Sequence, residues 1–330
     1  MLVTRAPLRF SLGGGGTDIP TYANQFGGFI LSVAINKYVY INLNKPNISD
    51  VLRVKYSRTE EVENPDQLQH ELVKGALKLT GVYDKIEISA MADVPSGTGL
   101  GSSGSFLAAL LMALHTYKRQ HVPPIDLAEE ACRIEMDIAG KPVGKHDQYL
   151  AVFGGFTCLD IQTDGSVKVS PLKIDFHCTE ELRNNLFFFY TGVRRDSSLV
   201  LADQAVGVAS NQQVLEGFHQ IKEIGYQVKT CLERGDLDGF GKLLNRHWEI
   251  KKQTSTQMTK TALDKVYEDG IASGALGGKL IGAGGGGFMM FYCPSDGGRQ
   301  RRLRQAMNEH GLKEMLVDFD LEGTKVVINI

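Results

Sequence analysis

The sequence predicts a mixed fold of strands and helices arranged in two domains. Three observations carry this. The chain has 330 residues, long for a single core. Short alternating apolar runs and longer runs of helical period both recur along it. Glycine-rich stretches sit beside the ends of these runs, where a chain changes element. Hydrophobic residues make up 42% and charged residues 22%, the proportions of an ordinary globular protein.

Residues 1–12 read as a first strand, followed by four consecutive glycines, Gly13 to Gly16, and then by Thr17 and Asp18. So permissive a run costs conformational entropy on folding, which favours a close approach or an unusual backbone path over a flexible link. Residues 29–44 read as paired strands with Val39, Ile41 and Leu43 alternating, and residues 51–56 continue the sheet. A helix over 67–80 stops at Gly81.

The strand at 86–92 delivers the chain to PSGTGLGSSGS, residues 95–105, and an apolar helix follows from Phe106 to Leu114. Pro95, Gly97, Gly99, Leu100, Gly101 and Gly104 define a loop whose glycines leave room for a ligand against the main chain. Free amides at a helix start, aided by the helix dipole, suit a phosphate. Ser102, Ser103 and Ser105 offer hydroxyls where that anion or its metal would lie. The alternative is a glycine turn with capping serines. No Lys-Ser or Lys-Thr closes the loop, which excludes a Walker-type site. Gly99, Gly101 and Gly104 have dinucleotide spacing, but the polar, proline-broken stretch 117–124 stands where a second strand should follow, so a dehydrogenase reading is remote.

After Pro123 and Pro124 a helix is expected from Asp126, with Glu129 completing a capping box and Leu127, Ala131, Ile134 and Ile138 forming its buried stripe. Asp137 can pair with Arg133 on the outer face. Glu135 has no cation three or four residues away, so a carboxylate bordering the stripe needs a partner from elsewhere, a divalent metal or bulk water. The helix stops at Gly140, and KPVGKHDQ, residues 141–148, forms a tight segment in which Asp147 is either a capping residue or a site residue.

Residues 156–161 and 167–172 form a hairpin turning at Asp164-Gly165. A strand at 186–190 leads into TGVRRDSS, with Arg194 and Arg195 adjacent. The chain is then mainly helical to about Gly274, with breaks near Gly235 and Thr259. KLIGAGGGGF, residues 279–288, precedes a strand at 289–292, and a last helix and two short strands near Leu316 and Val326 follow.

A net charge of −2 and a pI near 6.5 argue against a nucleic-acid footprint. Five cysteines without CxxC spacing argue against a disulfide framework or a zinc site. Neither a signal peptide nor a membrane span is expected, which points to the cytoplasm.

Taken in order, RAPLRFSLGGGGTD, PSGTGLGSSGS, residues 130–148 and KLIGAGGGGF resemble the GHMP kinases, the family of galactokinase, homoserine kinase, mevalonate kinase and phosphomevalonate kinase. The resemblance runs over nearly the whole chain. Within the family the first segment is most similar to the D-glycero-D-manno-heptose 7-phosphate kinases, with fucokinase-like proteins close behind. The resemblance implies an α+β fold with an N-terminal ribosomal-protein-like domain over residues 1–180 and a C-terminal ferredoxin-like domain over residues 181–330.

It also implies ATP and Mg2+ as cofactors and a sugar phosphate as the small-molecule partner, with the oligomeric state left open. Ser103 and Glu135 match the metal-binding pair, Asp147 the aspartate facing the acceptor hydroxyl, and Arg9 the arginine beside it. Asp18 matches the aspartate that holds sugar hydroxyls, with Gly15, Gly16 and Thr17 around it, and Gly284 to Gly287, Gly285 and Gly286 among them, match the loop that closes over phosphates and substrate. Galactokinases carry Glu-His where this chain has Gly15 and Gly16, so a bulky anion is missing from the sugar pocket. That fits a longer sugar bearing a phosphate, for which Lys145, Arg194, Arg195 and Lys279 are candidate partners. The activity implied is phosphorylation of the anomeric hydroxyl of heptose 7-phosphate for nucleotide-activated heptose and surface polysaccharide. A 1-kinase for a neutral sugar, and a nucleotide- and sugar-binding sensor without turnover, are the alternatives.

Overall fold

The structure is a computed structural model and describes residues 1–193, 197–255 and 261–330. The first half of the chain runs β1 (Leu2–Gly13), α1 (Pro20–Phe26), β2 (Gly28–Asn44), β3 (Leu52–Lys55), β4 (Thr59–Val62), α2 (Glu71–Thr80), β5 (Glu87–Ala92), α3 (Ser102–Tyr117), α4 (Pro124–Cys132), α5 (His146–Phe153), β6 (Phe156–Ile161) and β7 (Val167–Pro171). The second half runs α6 (Phe176–Asn185), β8 (Leu186–Tyr190), α7 (Ser197–Ser210), α8 (Gln212–Glu233), α9 (Leu237–Lys251), α10 (Thr261–Ala272), β9 (Gly277–Leu280), β10 (Phe288–Tyr292), α11 (Arg299–Glu309), β11 (Lys313–Glu314) and β12 (Lys325–Asn329).

These elements form two largely antiparallel sheets with their helices, an α+β arrangement. The larger sheet is ordered β12-β1-β2-β5-β3-β4, with β6 on β2 and β7 on β6, and the smaller is β11-β8-β10-β9. Residues 29–44, expected as two strands, are one 17-residue strand whose first half pairs with β6 and whose second half pairs with β5. The β1–β2 register slips between Pro7 and Leu8, and Asn36 and Lys37 are taken up there as a bulge. Proline has no N–H for the ladder, so the slip falls where a hydrogen bond is already missing.

Helix α3 is apolar on every side, with Leu107, Leu110, Leu111 and Leu114 fully buried. It lies on β1 and β2 and is flanked by α2, α4 and α5, so its first turn is fixed by the centre of the domain. A second apolar cluster joins Leu8, Phe10 and Leu12 of β1 to Phe188, Met290 and Tyr292 of the smaller sheet and to Phe240 and Leu244 of α9. The last strand, β12, returns to pair with the edge of β1.

Some boundaries differ from expectation for local reasons. The helix expected over 67–80 is a 3₁₀ turn at Pro65–Gln67 followed by α2, which His70 caps. The α4 helix starts at Pro124, because proline is suited to a first-turn position without an N–H, and Asp126 does not cap it. Strand β9 was not anticipated because Gly277 and Gly278 have little strand propensity, yet a Cβ at Gly278 would meet the Phe291 ring at 2.6 Å. The break expected near Thr259 lies outside the described residues.

Candidate active site

A cavity of about 370 Å³ lies where the two halves of the chain meet, walled by β1, the loop 95–104, α5, α7, the end of α9 and the loop 281–286. Its centre is Arg9. The backbone N–H of Arg9 donates to Leu100 O at 3.0 Å, and its guanidinium donates to Gly99 O at 2.7 Å, which ties strand β1 to the glycine loop. The same guanidinium holds Asp147, with Nε 2.7 Å from Oδ1 and the second nitrogen also on Oδ1.

Glycines permit this approach. Gly101 has φ of 78° and caps α3, and a Cβ there would press on the Arg9 side chain. At Gly104 a Cβ would meet the Asp147 Cβ at 2.8 Å, so the first turn of α3 rests directly on the first turn of α5. Asp147 therefore lies in a helix start and not in a loose turn, and it caps nothing.

His146 is a site residue that sequence reasoning missed. Its Nδ1 lies 3.1 Å from Asp147 Oδ1, its Nε2 lies 2.6 Å from Ser32 Oγ, and its backbone N–H donates to Asp18 Oδ2 at 3.1 Å. One residue thus fixes two carboxylates. Burial pushes the Asp147 carboxyl up, but the Arg9 charge and the His146 contact outweigh it and hold the group well below the usual carboxylate range.

Glu135 is 4% exposed and lies in a π turn, Arg133–Ile138, that continues α4. Ala139 N bonds Ile134 O, one residue beyond the α spacing. The wider turn swings Glu135 inward and leaves Ile138, expected on the buried stripe, 50% exposed. Burial raises the Glu135 carboxyl above its ordinary range, the Asp147 charge adds to this, and hydrogen bonds from Ser103 and Gln148 oppose it. No lysine or arginine is within ion-pair reach of Glu135 among the described residues, and the nearby Ser102 Oγ is buried without a partner. A buried carboxylate, two serine hydroxyls and no cation form an oxygen donor set that fits a hard divalent ion.

Other expected residues stand elsewhere. Thr17 is fully buried, with Oγ1 2.8 Å from Gly14 O and 2.9 Å from Phe29 O, so it shapes the glycine turn instead of facing the cavity. Ser105 donates to Pro7 O at 2.7 Å and anchors α3 to β1. Pro95 O accepts from Thr98 within the loop. Gly15, Gly16, Asp18, Gly284 and Gly286 line the cavity, and Gly285 does not. Lys145 is held by Glu129 at 2.7 and 2.8 Å and by Gly165 O at 2.8 Å, outside the cavity wall, because its neighbour His146 takes the inward position. Lys279 is buried beneath the site, 3.4 Å from Ser11 Oγ and 3.3 Å from His247 Nδ1, and burial lowers its ammonium well below the usual lysine range. Arg194 and Arg195 lie outside the described residues.

A second missed residue is Lys251, at the end of α9. It falls on the helix's own apolar stripe after Leu237, Phe240, Leu244 and Trp248, a cation where the period calls for an apolar side chain. That mismatch was visible in the sequence. Lys251 is 4% exposed, lines the cavity and donates to Gly282 O at 2.6 Å.

Two family profiles match the chain, one described as GHMP kinases N terminal domain over residues 71–155 and one as GHMP kinases C terminal over residues 228–313. Together they take in more than half of it. The chain belongs to the GHMP kinases. As a GHMP kinase it is a phosphotransferase. It is similar to the D-glycero-alpha-D-manno-heptose 7-phosphate kinase of Campylobacter jejuni, at 28% identity over 98% of this chain and 97% of that one. It is also similar to the L-fucokinase/L-fucose-1-P guanylyltransferase of Bacteroides fragilis, at 26% identity over 93% of this chain and 36% of that protein. Among solved structures, a D-glycero-D-manno-heptose 1-phosphate kinase from Bacteroides thetaiotaomicron superposes with a TM-score of 0.83 at 25% identity, covering all of both chains.

Proposed function

We propose that this GHMP kinase transfers the γ-phosphoryl of ATP to the anomeric hydroxyl of D-glycero-D-manno-heptose 7-phosphate, giving the 1,7-bisphosphate. The observation that carries this reading is the Arg9–Asp147 pair seated against the first turn of α3, which sets an acid beside the start of a helix in one cavity. Full-length similarity to a heptose 7-phosphate kinase supports the choice of acceptor.

The amides of residues 97–104 bind the polyphosphate, and Ser103 and Glu135 are the residues that would hold Mg2+. When bound, that ion supplies charge neutralisation on the β- and γ-phosphates. Asp18 accepts from sugar hydroxyls and is itself oriented by the His146 N–H. Asp147 faces the acceptor hydroxyl. As the acceptor oxygen bonds to the γ-phosphorus and the β,γ bridging bond breaks, Asp147 takes the hydroxyl proton. In a loose transition state that proton moves late, so a carboxylate held strongly ionised can serve. Arg9 fixes the carboxylate and places a positive charge beside the transferring group.

The test is a comparison of turnover on heptose 7-phosphate, fucose, galactose and mannose with ATP and Mg2+. Preference for heptose 7-phosphate is expected, and preference for a neutral sugar overturns the assignment. Ser103→Ala and Glu135→Gln should each raise the Mg2+ concentration needed for half-maximal rate, and an unchanged requirement removes both from the metal site.

A further inference from the structure

Among the described residues, three basic side chains line the cavity besides His146: Arg9, Lys141 and Lys251. Arg9 is committed to Asp147, and Lys141 stands 3.4 Å from Glu71. Lys251 differs from both. It has no carboxylate within ion-pair reach among the described residues, and it donates to a neutral carbonyl, Gly282 O. Lysine is seldom fully buried unless paired, because taking an ammonium out of water without a counter-charge is costly. Here burial draws the Lys251 ammonium down to about 8, the Arg9 charge acts in the same direction and the Asp18 charge opposes it. A cation so placed, with its head in a cavity wall, is a site for an anion that arrives with a ligand.

We propose that Lys251 binds the phosphate that the acceptor sugar already carries. The position favours the acceptor over the nucleotide. Amides of the glycine loop would already meet the polyphosphate, whereas Lys251 ends α9 beside α7, which packs on α1 just after Asp18, the residue assigned to the sugar. Its helix end is braced from the same side of the cavity: Gln204 of the cavity wall donates to Thr254 Oγ1 at 3.0 Å, and Thr254 Oγ1 donates to Lys251 O at 2.8 Å. Gly15 and Gly16 add no anion to the cavity wall, and the carboxylate of Asp18 there is already engaged by the His146 N–H. The inference rests on the heptose 7-phosphate reading.

The test uses the full chain with Lys251→Gln, which removes the charge while keeping a donor for Gly282 O, and with Lys251→Arg. Lys251→Gln should raise KM for heptose 7-phosphate about ten- to a hundredfold, the value of one charge-assisted hydrogen bond. KM for ATP should stay within about twofold, KM for the heptose lacking the phosphate should not rise, and Lys251→Arg should restore much of the loss. A fall in kcat at constant KM, or an equal loss on the neutral heptose, overturns the proposal and leaves the acceptor assignment standing. Wild-type enzyme that prefers the neutral heptose overturns both. One measurement needs no variant: heptose 7-phosphate, and not the neutral heptose, should protect Lys251 from acylation by an N-hydroxysuccinimide ester, read by peptide mass spectrometry. Equal protection by both sugars, or by neither, rejects the assignment.

Discussion

Asp147 is a weak base by position, since the Arg9 charge and the His146 contact keep it ionised despite burial. Asp147→Asn should lower kcat about 10²- to 10⁴-fold, the range of general base catalysis, while Mg-ATP still raises the melting temperature. The wild-type kcat profile should show no acid limb from this group across the range near neutrality. Arg9→Gln removes the cation that favours the charged form, so the Asp147 pKa rises and an acid limb should enter the measured range. An unmoved profile would separate Arg9 from the ionisation of Asp147. That Arg9, Asp147, Ser103 and Glu135 belong together was legible because each stands in a glycine-rich or charged motif, and the structure brings the four into one cavity. His146 was not, since nothing beside it distinguishes a histidine that orients two carboxylates from one in solvent. Lys145 was mistaken for a ligand-facing cation because sequence cannot say which of two neighbours turns inward.

At the scale of elements, the site depends on helix starts brought together without side chains between them. Gly104→Ala should push α5 from α3, costing about 1–3 kcal/mol of stability by overpacking and lowering kcat at least tenfold. Retention of both would show that the two turns can separate freely. The far end of α3 is pinned differently. His115 Nε2 lies 2.6 Å from Glu130 Oε2 of α4, and this hydrogen bond, against the opposing effect of burial, raises the histidine above its ordinary value. A raised histidine contributes its charged-pair stability below the unfolded pKa, and that contribution is lost as pH rises through the folded pKa. Denaturation should therefore show His115→Gln costing more stability at pH 5.5 than at pH 9, and a pH-independent cost would remove the ion pair. The order of elements and the phosphate-loop helix were readable from periodicity and glycine placement. The π turn was not, because a 3.6-residue period carries no mark of one wider turn, and for that reason Ile138 was placed inside.

At the scale of the molecule, we propose residues 1–180 and 181–330 as sequence units and not as separately folding ones. One apolar cluster includes β1, β8, β10 and α9, and the last strand pairs back onto β1. Calorimetry should give a single transition with the calorimetric enthalpy equal to the van't Hoff value. Two resolved transitions would contradict the shared core. That sharing was beyond the sequence, which marks where strands begin but not which distant strand they meet.

The two glycine loops also touch each other. A Cβ on Gly282 would lie 2.6 Å from the Gly99 Cα, so bare main chain meets bare main chain, with no compressible side chain between. A displacement of either loop is felt by the other, and the cavity has no independent halves. Whatever factor the nucleotide adds to affinity for the acceptor, the acceptor must return to the nucleotide, because linkage is reciprocal. Calorimetric titrations of each ligand with and without the other should close this thermodynamic square on a coupling different from zero.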